Sequence, residues 1–452
     1  MLFSSLTFLF AFLPVVLAIY QLCPLRARNL FLLLANLVFY GWGEPVYLWI
    51  MVASILIDYS HGWLIERYRE NDRLARWFVA QSVLLNLGLL FFFKYWDFFA
   101  QYLGLRTFGL PLPLGISFFT FQTMSYSIDV YRQDAPCQRN IIAFGTYVTL
   151  FPQLVAGPIV RYQEVAHELN NRRVSMMDFY EGVVRFTIGL CKKVLLANTI
   201  GSFWETLSTA NLTVGGTWLG AVAFCLQLYF DFSGYSDMAI GLGEMLGFHF
   251  PENFNYPFLA RSASEFWRRW HMTLGGWFRS YVYIPLGGNR KGLLRTVCNL
   301  FLVWSLTGFW HGADWNFLIW GMGFGILIIL ERLFLSKLLE RLPRAVGHLY
   351  LLFTVLVLMS VFALPTGWLR WVIAMFGRAP LWSAEMGYYA ISYLPALILL
   401  GVGATPLPAM AYRTLPPKLR RGLTPVLVIL GLTLCTAYLV DASYNPFLYF
   451  RF

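Results

Sequence analysis

His311 stands between two apolar runs, in the stretch Trp304-Ser-Leu-Thr-Gly-Phe-Trp-His-Gly-Ala-Asp-Trp-Asn-Phe-Leu-Ile-Trp-Gly321. An ionisable side chain in such surroundings is expensive and by default marks a functional site. Imidazole is the natural general base near neutral pH. The plainer role is a polar link between two helices. Asp314 follows three residues on, a spacing that puts two side chains on one helix face, where the carboxylate would orient the ring. His271 is the second candidate. Residues 262–285 read as one helix that does not cross a membrane, opened by Ser262 and Glu265 at capping-box spacing. Trp267, Trp270, Leu274, Trp277 and Tyr281 fall on one face, with Arg268, Arg269, His271 and Arg279 interspersed. Such a helix lies near the headgroup layer, either as a structural element or as the wall of a site.

Further polar groups sit where apolar ones are expected. Tyr229-Phe230-Asp231-Phe232-Ser233-Gly234-Tyr235-Ser236-Asp237 puts Asp231 and Asp237 inside an apolar segment. They belong either to a polar cavity or to a satisfied network between helices. Gln153, beside Pro152 and near Gly157-Pro158, is a similar case. The turn Gly287-Gly288-Asn289-Arg290-Lys291-Gly292 can approach a phosphate. It lacks the order of a P-loop. An ordinary basic cytoplasmic loop would look the same. His61, His167, His249 and His348 sit near expected loops and carry no assignment.

The elements that must position these groups are transmembrane helices. Of 452 residues, 58% are hydrophobic and 13% charged, against about 25% charged in soluble domains. Apolar runs cover 1–20, 29–42, 44–60, 77–95, 112–131, 141–160, 181–200, 216–247, 296–311, 316–335, 347–364, 388–404 and 423–440. Several are short or polar, so we expect about eleven crossings plus re-entrant and interfacial helices. Residues 1–20 lack the basic region of a cleaved leader and read as a retained first span. The 17 Trp and 25 Tyr suit many membrane–water boundaries. The net charge of +11 punctuates apolar segments, so it speaks for topology rather than for nucleic acid. Arg26 and Arg28, then Arg67, Arg69, Arg73 and Arg76, mark two cytoplasmic loops and put the N-terminus outside. After residue 132 the alternation blurs, and Phe151 to Arg161 reads as re-entrant. The six cysteines are scattered, which implies neither a metal site nor a disulfide framework.

Three motifs carry a resemblance. Phe266-Trp267-Arg268-Arg269-Trp270-His271, Tyr283-Ile284-Pro285-Leu286-Gly287-Gly288-Asn289-Arg290 and Trp310-His311-Gly312 closely resemble the membrane-bound O-acyltransferase family. The nearest branch O-acetylates alginate and related bacterial exopolysaccharides. Pro113-Leu114-Gly115-Ile116-Ser117-Phe118, Gln153-Leu154-Val155-Ala156-Gly157-Pro158-Ile159 and Tyr444-Asn445-Pro446-Phe447-Leu448-Tyr449-Phe450 also look like it. The resemblance implies a single all-α polytopic domain over 1–452, with N-terminal helices (1–110), a catalytic core (111–335) and C-terminal helices (336–452), arranged around a central catalytic tunnel.

It further implies that His311 is the essential catalytic residue and His271 the second signature position. The reaction would be acyl transfer from a thioester to a hydroxyl. His311 would be the base, and His271 would position the thioester carbonyl or the acceptor hydroxyl. Arg268, Arg269, Asn289, Arg290 and Lys291 would face the phosphates of acetyl-CoA at the cytoplasmic mouth. Asp231, Asp237, Asp314 and Gln153 would support the polar site. No metal is needed. The chain would work in the bacterial inner membrane among its lipids, and pass acetyl to a periplasmic acetyltransferase or acceptor protein of the exopolysaccharide machinery. Two alternatives stay open: D-alanyl transfer from a carrier protein towards teichoic acid, and a transporter with an intramembrane proton relay.

Overall fold

The computed structural model describes residues 1–155 and 157–441. Ala156 of the Gln153–Ile159 motif and the Tyr444–Phe450 motif lie outside the described residues. Regular structure among the described residues is helical, apart from one antiparallel bridge between Phe254 and Trp270. Among the described residues, seven helices are long and apolar enough to cross a bilayer: Leu48–Arg67, Asp72–Lys94, Leu293–His311, Trp315–Arg341, Arg344–Ala363, Ala384–Gly403 and Pro417–Asp441. Phe8–Leu22 and Arg28–Gly41 are shorter apolar helices. This is an all-α polytopic membrane protein. The backbone polar groups of a helix are paired internally, which is what an apolar solvent demands.

Other apolar runs of the sequence take different forms. The run 112–131 becomes Ile116–Arg132, a helix buried over most of its length despite Ser117, Thr120, Gln122, Thr123, Ser125 and Ser127. The run 141–160 is interrupted: Ile141–Thr149 ends, and Phe151–Leu154 starts afresh with Pro152 in its first turn. Proline is tolerated there because the N–H it lacks would have no partner in the helix.

The chain packs as two compact units, Met1–Gly189 with Tyr235–Pro251, and Leu190–Gly234 with Glu252–Phe452. In the first, Leu48–Arg67, Asp72–Lys94 and Ile116–Arg132 are tied by buried side chains. Asp58 accepts hydrogen bonds from Ser82 Oγ at 2.5 Å and from Asn86 Nδ2 at 2.9 Å, and Thr123 Oγ1 donates to Asn86 Oδ1 at 3.0 Å. A buried carboxylate is tolerated when its oxygens are bonded in this way.

In the second unit, Leu293–His311 and Trp315–Leu330 form a tight hairpin. Its closeness comes from glycine. A Cβ at Gly308 would clash with the Phe317 carbonyl oxygen, and one at Gly321 would meet the Trp304 carbonyl oxygen at 2.5 Å. Small residues at such crossings let backbones touch. Gly308 is one turn before His311, so this contact fixes where the imidazole is delivered.

A bulkier residue at the crossing should show its importance. Gly308→Val is expected to destabilise the folded protein by about 1–3 kcal/mol, the usual cost of overpacking, and to displace His311. Thermal denaturation in detergent should show a lower midpoint than wild type. An unchanged midpoint would mean the hairpin tolerates separation.

Candidate active site

The stretch 262–285 is not one helix. It is Ala263–Trp267, a break, Met272–Phe278, and a π-helical turn Arg279–Tyr283. The expected cap is present, since Ser262 Oγ accepts from Glu265 N at 3.1 Å. Glu265 reaches back to Arg261 N at 3.0 Å instead of Ser262 N, and pairs with Arg269 at 2.9 Å. A stronger anchor comes from far along the chain. Glu331, buried, accepts from Ala263 N at 2.6 Å, Ser264 N at 2.9 Å, Ser264 Oγ at 2.6 Å and Tyr350 OH at 3.1 Å. A helix start placed in an apolar core needs such a partner for its N–H groups.

The break occurs at His271, which takes a left-handed backbone with φ 46° and ψ 51°. For a residue with a Cβ this conformation is uncommon. Here a neighbouring segment holds it. Asn255 N donates to Arg269 O at 2.9 Å and Met272 N to Asn253 O at 3.0 Å. The Asn253 side chain completes the pairing: its Oδ1 lies 3.1 Å from His271 Nδ1, 3.3 Å from Thr273 N and 3.0 Å from Thr273 Oγ1. Phe232 stands edge-on to the imidazole at 4.7 Å. His271 lies outside the seven candidate spans, and burial pushes it down to about 3, so the ring is neutral.

His311 is the last residue of Leu293–His311. Asp314 does not share its helix face. Gly312 leaves the helix in an extended conformation, and Asp314 caps the next one, accepting from Trp315 N at 2.6 Å. The His311 ring is instead surrounded by aromatic rings: Trp310 at 4.9 Å, Trp320 at 5.1 Å and Phe362 at 5.3 Å. Asn316 holds the Phe362 end of its helix, donating to the Val361 and Phe362 carbonyls at 3.2 and 3.1 Å. Trp310 also lies 6.4 Å from the His271 ring. One indole is therefore near both histidines.

A cavity of about 450 Å³ opens beside His271, lined in part by Trp267, Arg268, His271, Arg279, Tyr283 and Trp304; His311 is not part of that lining. Arg268 and Arg279 give it two cations, and apolar side chains form much of the rest. Arg269 is held by Glu265 outside that lining. Asn289, Arg290 and Lys291 are exposed. Their turn uses Gly287, Gly288 and Gly292 at positive φ, and Asn299 fixes it by donating to the Leu286 and Gly288 carbonyls at 3.3 and 3.0 Å. Gly288 sits beside Tyr283 of the cavity wall.

The remaining expected site residues are each held by a side-chain or backbone partner. Asp231 pairs with Lys193 at 2.7 Å, both almost fully buried in the second unit, and Lys193 also donates to Asn198 Oδ1 at 3.0 Å. Asp237 belongs to the first unit, where it pairs with Arg185 at 2.6 Å. Gln153, also in the first unit, donates from Nε2 to the Tyr147 carbonyl at 2.6 Å. Sequence reading passed over Asn253, Asn299, Asn316 and Glu331. The available signal was a polar side chain inside an aromatic or apolar run, as Asn253 is between Phe250 and Phe254.

Residues 46–365 match the model of the membrane-bound O-acyltransferase family. Over its whole length the chain is 37% identical to the whole of a probable alginate O-acetylase AlgI of Pseudomonas putida. It is 37% identical to a peptidoglycan O-acetyltransferase of Helicobacter pylori over 74% of this chain and 70% of that one. A teichoic acid D-alanyltransferase of Bacillus subtilis is more distant, 26% identical over 59% of this chain and 70% of the relative.

The anchor at Glu331 can be tested directly. Glu331→Ala leaves the donors of Ala263, Ser264 and Tyr350 without an acceptor, at about 1–3 kcal/mol for each unsatisfied group. Folded yield and thermal midpoint in detergent should both fall clearly. Tyr350→Phe removes one donor and should cost about 1 kcal/mol. Equal effects of the two substitutions would show that the carboxylate does not hold the helix start.

Proposed function

The chain belongs to the membrane-bound O-acyltransferase family and is a membrane O-acyltransferase, and we propose that it takes acetyl from cytoplasmic acetyl-CoA and passes it across the inner membrane for O-acetylation of an exopolysaccharide such as alginate. The immediate acceptor in this reading is a hydroxyl of a periplasmic acetyltransferase or of a carrier serving the exopolysaccharide machinery. The observation that carries it is the cavity whose wall combines the buried imidazole of His271 with the guanidinium groups of Arg268 and Arg279, in a chain alignable end to end with an alginate O-acetylase.

In this reading His311 is the general base. It takes the proton of the acceptor hydroxyl as that oxygen attacks the thioester carbonyl. The new C–O bond forms, the C–S bond breaks, and the thiolate of coenzyme A leaves with the proton that His311 held. His311 ends a helix, where the partial negative charge of the last carbonyls favours a group that becomes cationic in the transition state. Its aromatic surroundings exclude water, which would otherwise compete as acceptor. Trp267, on the cavity wall, has an indole N–H with no hydrogen-bond partner among the described residues, a donor suited to the carbonyl oxygen. Arg268 and Arg279, with Arg290 and Lys291 on the neighbouring turn, supply charge for the phosphates of the donor.

His311→Ala is expected to abolish acetyl transfer in membranes while the protein inserts and accumulates as wild type. Retention of near wild-type polymer acetylation would remove His311 as the base. Activity with D-alanyl carrier protein but not with acetyl-CoA would replace the acetyl donor by D-alanine.

The cations give a separate expectation. Neutralising Arg290 and Lys291 together should raise the apparent KM for acetyl-CoA several-fold and change kcat less, the pattern of lost donor binding. Acetyl-CoA dependence is measured in membranes of verified topology. An unchanged dependence would leave these residues as loop charges alone.

A further inference from the structure

The hydrogen bonds around Asn253 decide which ring nitrogen of His271 carries the proton. Asn253 is fully buried, and one atom of its side-chain amide faces three groups: Thr273 N, Thr273 Oγ1 and His271 Nδ1. A backbone N–H can only donate, so the amide atom facing Thr273 N is the oxygen. An amide oxygen can only accept. The His271 nitrogen 3.1 Å from it must therefore be a donor. In a neutral imidazole, Nδ1–H leaves the lone pair on Nε2.

We propose that Asn253 is a positioning residue that locks neutral His271 as its Nδ1–H tautomer, so that His271 meets substrate as a hydrogen-bond acceptor through Nε2. The proposal rests on the reading of His271 as part of the acyl-transfer site, and it narrows that reading. Two roles were open to His271. Polarising the thioester carbonyl needs a donor, and the locked ring has none to offer there. Orienting the acceptor molecule through one of its hydroxyls, or the donor through an amide N–H of its pantetheine arm, needs an acceptor, and Nε2 is one. The lock has two parts. The amide oxygen sets the tautomer, and the pairing of Asn253 O with Met272 N sets the left-handed turn that aims the ring. Only the first depends on the side chain, so the two can be separated by substitution.

The test uses full-length protein in lipid, grown with isotope-labelled histidine, with the His271 signals identified by their loss in His271→Gln. Magnetic resonance of the ring nitrogens should find wild-type His271 protonated on Nδ1. Asn253→Ala should release it towards the Nε2–H form that imidazole prefers in water. Asn253→Asp keeps an oxygen facing the same three donors. It should keep the Nδ1–H tautomer and most of the activity, whereas Asn253→Ala should lower kcat about 10-fold or more with a smaller change in KM for the acyl donor. An Nε2–H ring in wild type, an unchanged tautomer in Asn253→Ala, or an Asn253→Asp enzyme that inserts normally but is as inactive as Asn253→Ala would each overturn the proposal. The tautomer is read without any substrate, so it stands or falls independently of whether the transferred group is acetyl.

Discussion

Every backbone group freed by a break in a helix must find a partner when the surroundings are apolar. That demand organises the second unit. The chain needs short segments there to carry Trp267, Arg268 and His271 past the longer helices, and each start and stop exposes N–H or carbonyl groups. Glu331 closes one start, binding Ala263 N and Ser264 N. Asp314 closes another at Trp315. Asn316 and Asn299 take up carbonyls, the former at the end of Arg344–Ala363 and the latter in the glycine turn. Asn253 does the same for the break at His271. Each of these side chains lies away in sequence from the catalytic candidates or on their flanks. Together they decide where the candidates can stand.

Aromatic rings fill the space those caps define. Trp310, Trp320 and Phe362 enclose His311, and Phe232 and Trp310 lie against His271. Rings of this size bring large apolar area with few rotatable bonds, so they hold a geometry at little entropic cost. For a side chain proposed as a general base, such surroundings would fix its orientation and keep bulk water away. The cations stay at the surface: Arg268 and Arg279 on the cavity wall, and Arg290 and Lys291 on their turn, are all exposed.

Buried charge elsewhere is paired. Asp231 with Lys193, and Asp237 with Arg185, are close pairs formed between segments far apart in the chain. In an apolar medium a lone carboxylate is costly, and pairing offsets that cost. The same holds for Asp58 and its shell of Ser82, Asn86 and Ser127. An intramembrane carboxylate therefore signals function only after its partners are known.

Composition and local spacing were enough to determine the class of the molecule. Charge scarcity and apolar run length dictate transmembrane helices, and each of the seven long helices overlaps a run visible in the sequence. Residue type in context singled out His311 and His271, because an imidazole in an apolar stretch stands out wherever its partners are. The Ser262 cap was legible for the same reason, since cap and helix start lie within four residues. What local spacing could not supply was pairing across distance. Asp314 had the right interval from His311, and Gly312 broke the helix between them. Asp231 and Asp237 lie under two turns apart on one helix, yet their partners, Lys193 and Arg185, come from another stretch of chain. The left-handed backbone of His271, and the Asn253 oxygen against its Nδ1, arise only when residues 252–256 pair with 269–272. Hydrogen bonds and ion pairs act over a few ångströms in space whatever the separation in sequence, so only the tertiary structure could choose among partners the sequence made equally available.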